Sequence, residues 1–139
     1  VPKRPYGGPV FGRAMGTHRL SRIEPLALIA VGGFAGAVLR HLVSVALPAS
    51  FPWGTLAVNV GGAFLLSVLL YEAHLADALS AETRLVVGTG FCSSFTTYST
   101  FAVETTALSP ELAVANVAAN YALGMGAVVA GQLAARWAS

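Results

Sequence analysis

Four long apolar stretches leave this chain few ways to fold. They cover residues 26–47, 54–71, 84–106 and 112–135. Each is near the roughly 20 residues that a helix needs to cross the hydrocarbon core of a bilayer. The connections between them are a short link at 48–53, a polar segment at 72–82 and a turn at Ser109 and Pro110. No soluble domain fits in those gaps. Pro25 and Pro48 bracket the first stretch, and proline suits the first turn of a helix and the stop after its last. Strands of a membrane barrel would alternate apolar and polar residues, and these stretches do not. The expected fold is an all-α membrane protein with four transmembrane helices. Residues 1–24 are expected as a flexible basic tail, ahead of a four-helix transmembrane domain over 25–139.

Charge supports this division. Only 10% of the 139 residues are charged, against roughly 25% in soluble domains. Five of the eight basic residues (Lys3, Arg4, Arg13, Arg19 and Arg22) precede residue 25. Four crossings put both termini and the 72–82 loop on one side. That side also takes Arg84 and Arg136, and the excess of positive charge predicts that it faces the cytoplasm. The tail contains no signal-peptide pattern, and Met15 is a candidate internal start. No basic stripe is interleaved with aromatics, which argues against nucleic acid as a partner. The single Cys92 excludes an intrachain disulfide and a cysteine-rich metal site. His18, His41 and His74 lack metal-ligand spacing, and no nucleophile–base pair is recognisable, so an enzyme is not expected.

Polar residues inside membrane helices are costly and mark functional candidates. In the first stretch Gly32 and Gly36 form a small-xxx-small pair suited to close helix packing, followed by Arg40 and His41. Arg40 serves either as an interfacial anchor or as the cation of a vestibule that attracts anions. Asn59 stands among small apolar residues in the second stretch. The third is the anomaly: seven of the fourteen residues from Gly88 to Phe101 are Ser or Thr, and Gly88 and Gly90 sit among them. A helix break near mid-membrane is expected there, because freed backbone groups are tolerated only where protein, water or an ion satisfies them. Asn116, Asn120 and Gly124 recur at four-residue spacing and form one polar, small stripe on the fourth helix.

At the third stretch the run Phe95-Thr96-Thr97-Tyr98-Ser99-Thr100-Phe101, followed by Glu104, resembles the third helix of the CrcB/Fluc family of fluoride channels. Gly32-Gly33-Phe34-Ala35-Gly36-Ala37-Val38-Leu39-Arg40 is similar to the family's first-helix motif, and Gly54-Thr55-Leu56-Ala57-Val58-Asn59-Val60-Gly61-Gly62 to its second. The resemblance implies a fluoride-specific channel that passively exports fluoride across the cell membrane and lowers its toxicity. It implies an antiparallel, dual-topology dimer with two pores at the subunit interface. It also implies a structural sodium ion at that interface, held by the backbone carbonyls of Ser93 and Thr96. By motif position, Tyr98 and Phe101 take the places of the family's paired phenylalanines. Asn59, Thr97 and Asn120 would supply polar contacts to the ion, and Arg40 a vestibule charge.

Three positions depart from the family pattern. Tyr98 stands where phenylalanine is usual, and Gly124 and Val128 stand about where hydroxyl residues are usual. Some family members pair two unlike subunits of fixed orientation, so the partner is either a second copy or a paralogous chain. The basic tail weighs toward a fixed orientation. Two other classes compete. A small multidrug-type transporter also has four helices, but it wants a carboxylate in its first helix, and residues 26–47 contain none. A non-transporting assembly subunit would tolerate Asn59→Ala and Phe101→Ala.

Overall fold

The computed structural model describes residues 15–71 and 80–138. The first fourteen residues, His74 and most of the 72–82 loop lie outside them. Helix α1 covers Met15–Ala46 and α2 Trp53–Tyr71. Three short elements follow in direct succession: α3 (Ala81–Thr83), a π-helix (Arg84–Cys92) and α4 (Ser93–Phe95). The chain then breaks, resumes as α5 (Tyr98–Thr106) and ends in α6 (Pro110–Ala138).

Helix α1 begins ten residues before the boundary read from sequence. Pro25 therefore lies inside it, and residues 15–24 continue the helix instead of preceding it. This segment is rich in helix formers such as Met, Arg, Leu and Glu. Among the described residues, three helices are long and apolar enough to span a membrane: Ile23–Ala46, Trp53–Tyr71 and Pro110–Trp137. The third apolar stretch is not one helix, because its backbone turns extended at Thr96 and Thr97. Ser80 starts it with a side-chain cap on the Thr83 N–H at 3.2 Å. The Glu82 backbone N–H and the Ser80 hydroxyl hold the Glu82 carboxyl below its ordinary range. That contribution is present above the ordinary carboxylate range and is lost as pH falls through the lowered value.

The distribution of polarity is that of a protein dissolved in lipid. Phe34, Val114, Met125 and Trp137 face outward, while Thr55, Ser67, Thr97 and Asn116 are buried. Asn116 and Val58 are the largest side chains with no exposure at all. Water would reward the opposite arrangement.

Two close crossings build the molecule. In the first, α1 lies against the π-helix and α4. A Cβ at Gly32 would collide with the Val86 carbonyl, and one at Gly36 with the Phe91 carbonyl. The two glycines are four residues apart and the two carbonyls five. An α-helical repeat on one partner thus meets the i→i+5 repeat of the π-helix on the other. Gly90 completes the contact, since a Cβ there would sit 2.6 Å from the Ile29 carbonyl oxygen. In the second crossing α2 lies along α6. A Cβ at Gly131 would come within 2.7 Å of the Phe64 carbonyl oxygen, and Ser67 donates to the Val128 carbonyl at 2.6 Å.

Gly36→Val is expected to destabilise the fold by about 1–3 kcal/mol, the usual cost of overpacking. The measurement is the thermal unfolding midpoint in detergent. Gly126, which has open space around its Cα, supplies the control: Gly126→Ala is expected to leave the midpoint unchanged or to raise it slightly.

Candidate functional site

The site is organised around the break between α4 and α5. In a continuous helix the Thr97 N–H would bond the Ser93 carbonyl, and the Thr100 N–H the Thr96 carbonyl. Here the Thr97 N–H goes to Asn59 Oδ1 at 2.8 Å, and the Thr100 N–H to Thr97 Oγ1 at 3.2 Å. The carbonyls of Ser93 and Thr96 thereby lose their helical donors. Thr97 is the N-cap of α5, and its hydroxyl also donates to Thr100 Oγ1 at 3.0 Å. Thr96 turns back, with its N–H and hydroxyl both on the Cys92 carbonyl at 3.1 and 2.9 Å.

Asn59 stitches the break to the rest of the molecule. Its Nδ2 donates to the Thr97 carbonyl at 3.1 Å and to Asn120 Oδ1 at 3.3 Å. With its Oδ1 on the Thr97 N–H, both the N–H and the C=O of Thr97 are held from α2. Asn120 in turn donates from Nδ2 to the backbone carbonyl and to Oδ1 of Asn116, at 3.0 and 3.1 Å. The amide hydrogens of both asparagines are thus engaged within the chain.

The first turn of α5 carries the aromatic pair. The rings of Tyr98 and Phe101 have centroids 5.8 Å apart and are tilted by 44°. Phe101 is buried, whereas Tyr98 is 75% exposed. An open pocket of about 740 Å³ runs past this turn. Asn59, Ser93, Thr96, Thr97 and Tyr98 all line it, and so does Arg84, which the sequence did not single out. Phe101 and Asn120 do not line it. Arg40 reaches the break from α1, with Nη1 3.5 Å from the Thr96 carbonyl oxygen. Glu104, on the same helix as the aromatic pair, lines a smaller pocket of about 300 Å³ beside Ser44 and Phe51. Its Oε2 is buried with no hydrogen-bond partner among the described residues. Thr105 and Ser67 also went unmarked in the sequence: Ser67 is a lone hydroxyl in an apolar stretch, and Thr105 is one of several hydroxyls on α5 with nothing local to set it apart. No three His, Cys, Asp or Glu residues cluster among the described residues; the oxygens at the break include backbone carbonyls, threonine hydroxyls and the Asn59 amide oxygen.

Lipid-facing helices around a broken, aromatic-bearing segment define a small multi-pass membrane protein with a polar site. A family model described as CrcB-like protein, Camphor Resistance (CrcB), matches residues 27–132. The chain belongs to the CrcB-like family. It is 58% identical over 114 residues to a protein of Natronomonas pharaonis named fluoride-specific ion channel FluC 1. That match covers 82% of this chain and 96% of the relative. A Haloarcula marismortui protein of the same name is 53% identical over 116 residues, covering 84% and 89%. A Chlorobaculum tepidum protein named fluoride-specific ion channel FluC is 41% identical over 121 residues, covering 82% and 96%.

Asn59→Leu removes three hydrogen bonds and leaves the Thr97 N–H and C=O without their partner. Each buried group left unsatisfied costs about 1–3 kcal/mol. A clear fall in unfolding midpoint is therefore expected, and proteolysis should open a new site near the break.

Proposed function

We propose that this chain is a subunit of a fluoride-selective channel of the cell membrane, with four crossings and the broken segment as the third. The observation that carries the reading is the aromatic turn of α5, presented on the open side of the break with one ring outward and one inward. The electropositive edge of an aromatic ring attracts an anion weakly. Conduction needs such sites: favourable enough to enter and weak enough to leave. The relatives named as fluoride-specific channels supply the ion.

Tyr98 and Phe101 line the ion's path in this reading, and Thr97 and Asn120 lie alongside it. The amide hydrogens of Asn59 already have acceptors, so fluoride reaches them by displacing the Asn120 side-chain oxygen or the Thr97 carbonyl. The 3.3 Å contact to Asn120 is the weaker of the two. Arg40 places a positive charge near the break and raises the local anion concentration. The outward face of Tyr98 asks for a second subunit, and an antiparallel dimer, of two copies or of two related chains, would wall the pore. Low charge suits this task, because a fixed cation deep in the pore would hold fluoride too tightly; Arg40, turned toward the Thr96 carbonyl, is the exception.

The freed carbonyls of Ser93 and Thr96 fit a sodium ion, since unwound backbone is a common sodium ligand in membrane proteins. The Thr96 carbonyl has two lone pairs and one long contact to Arg40, which leaves an acceptor for the ion. When bound, the ion would brace the break. Replacing sodium by a large organic cation should lower the thermal midpoint of the purified protein; an unchanged midpoint would remove sodium from the break.

Fluoride efflux from liposomes containing the purified chain, read with an electrode, tests the channel reading. Flux above empty liposomes is expected, and Phe101→Ile should lower it at least tenfold while the dimer stays intact. A folded dimer with no flux would overturn the homomeric form. Flux appearing only with a second, related chain would establish the mixed dimer.

A further inference from the structure

We propose that Asn116 and Thr105 are positioning residues that set the aromatic turn of α5, through a hydrogen-bonded circuit closed over three helices. This rests on the reading of Tyr98 and Phe101 as the pore aromatics. The circuit begins at the Thr97 N–H, which donates to Asn59 Oδ1 at 2.8 Å on α2. Asn59 Nδ2 donates to Asn120 Oδ1 at 3.3 Å on α6, and Asn120 Nδ2 to Asn116 Oδ1 at 3.1 Å one turn earlier. Asn116 Nδ2 then donates to Thr105 Oγ1 at 2.8 Å, back on α5. Thr105 Oγ1 closes the circuit on the Phe101 carbonyl at 2.6 Å.

Every member donates in the same sense. The circuit leaves α5 at Thr97 and returns at Phe101, four residues on. Between those two points lies the turn that carries Tyr98, and Phe101 is itself the point of return. Asn116 is 0% exposed, and both ends of its amide are used. Such chains polarise and strengthen one another where the surroundings are apolar. The side of α5 that faces α6 is thereby held, while Tyr98 stays open to the pocket.

The test uses the full chain in liposomes, with fluoride and chloride efflux measured side by side. Thr105→Val keeps the volume and removes the hydroxyl. It should lower fluoride flux relative to chloride at least tenfold. Thr105→Ser restores the hydroxyl and should stay within twofold of the wild type. Asn116→Leu should match Thr105→Val, and the double variant should be no worse than either single one, because all three break the same circuit. Where Asn116→Leu does not fold, the Thr105 pair decides. A Thr105→Val channel with wild-type flux and selectivity overturns the proposal, and so does Thr105→Ser equally impaired. A second readout is independent of transport: amide hydrogen exchange over residues 98–105 should be at least tenfold faster in Thr105→Val. Unchanged exchange overturns the circuit whether or not the wild type conducts. A wild type that passes no fluoride overturns the pore reading alone and leaves the exchange result to decide the circuit.

Discussion

A break in a membrane helix frees backbone groups from their helical partners, and much of this structure is arranged around pairing them again. Asn59 takes both the N–H and the C=O of Thr97. The hydroxyl of Thr97 takes the N–H of Thr100, one of those left free in the first turn of α5. Unsatisfied groups in hydrocarbon cost several kcal/mol each, so the break exists only because these side chains stand where they do. The buried polar stripe on α6 follows from the same need. Asn59 must itself be satisfied, and Asn120 and Asn116 extend the pairing outward until it ends on Thr105.

Glycine supplies the second condition. Gly32, Gly36 and Gly90 bring α1 against the π-helix closely enough for backbone to touch backbone. In lipid, where apolar side chains have nothing to gain by leaving the solvent, such close packing is a main source of helix association. The contact fixes the height of the third segment against α1, and that height decides that Arg40 meets the Thr96 carbonyl. Tight packing on one side and hydrogen bonding on the other hold the break between them, leaving its remaining face open to the pocket that Tyr98 lines.

The sequence made several of these parts legible. Asn59 stood out as an amide among small apolar residues, the Ser/Thr and glycine density marked the segment that breaks, and Asn116 and Asn120 fell on one stripe. The small-xxx-small pair in α1 was legible as a packing face, although its partner was not. Other features left no mark. Ser67 is a single hydroxyl and Thr105 one hydroxyl among several on α5, and their roles depend on the Val128 carbonyl and the Asn116 amide that α6 brings to them. The start of α1 was placed at Pro25 because proline commonly opens a helix, yet the chain is already helical from Met15.

What the sequence determined alone is the solvent and the kind of element: long apolar stretches with few charges fold as helices in lipid, because only a helix satisfies its own backbone there. It also determined that the third stretch departs from that rule, since glycines and hydroxyls weaken a helix and offer replacement bonds. Tertiary structure decided where the break falls and what it can hold. The extended geometry at Thr96 and Thr97 is stable only once Asn59, 38 residues before Thr97 in the chain, has been brought within hydrogen-bond reach. The π-winding of Arg84–Cys92 is matched to a glycine repeat on a different helix. These are contacts between segments far apart in sequence, and local composition carries no information about their register.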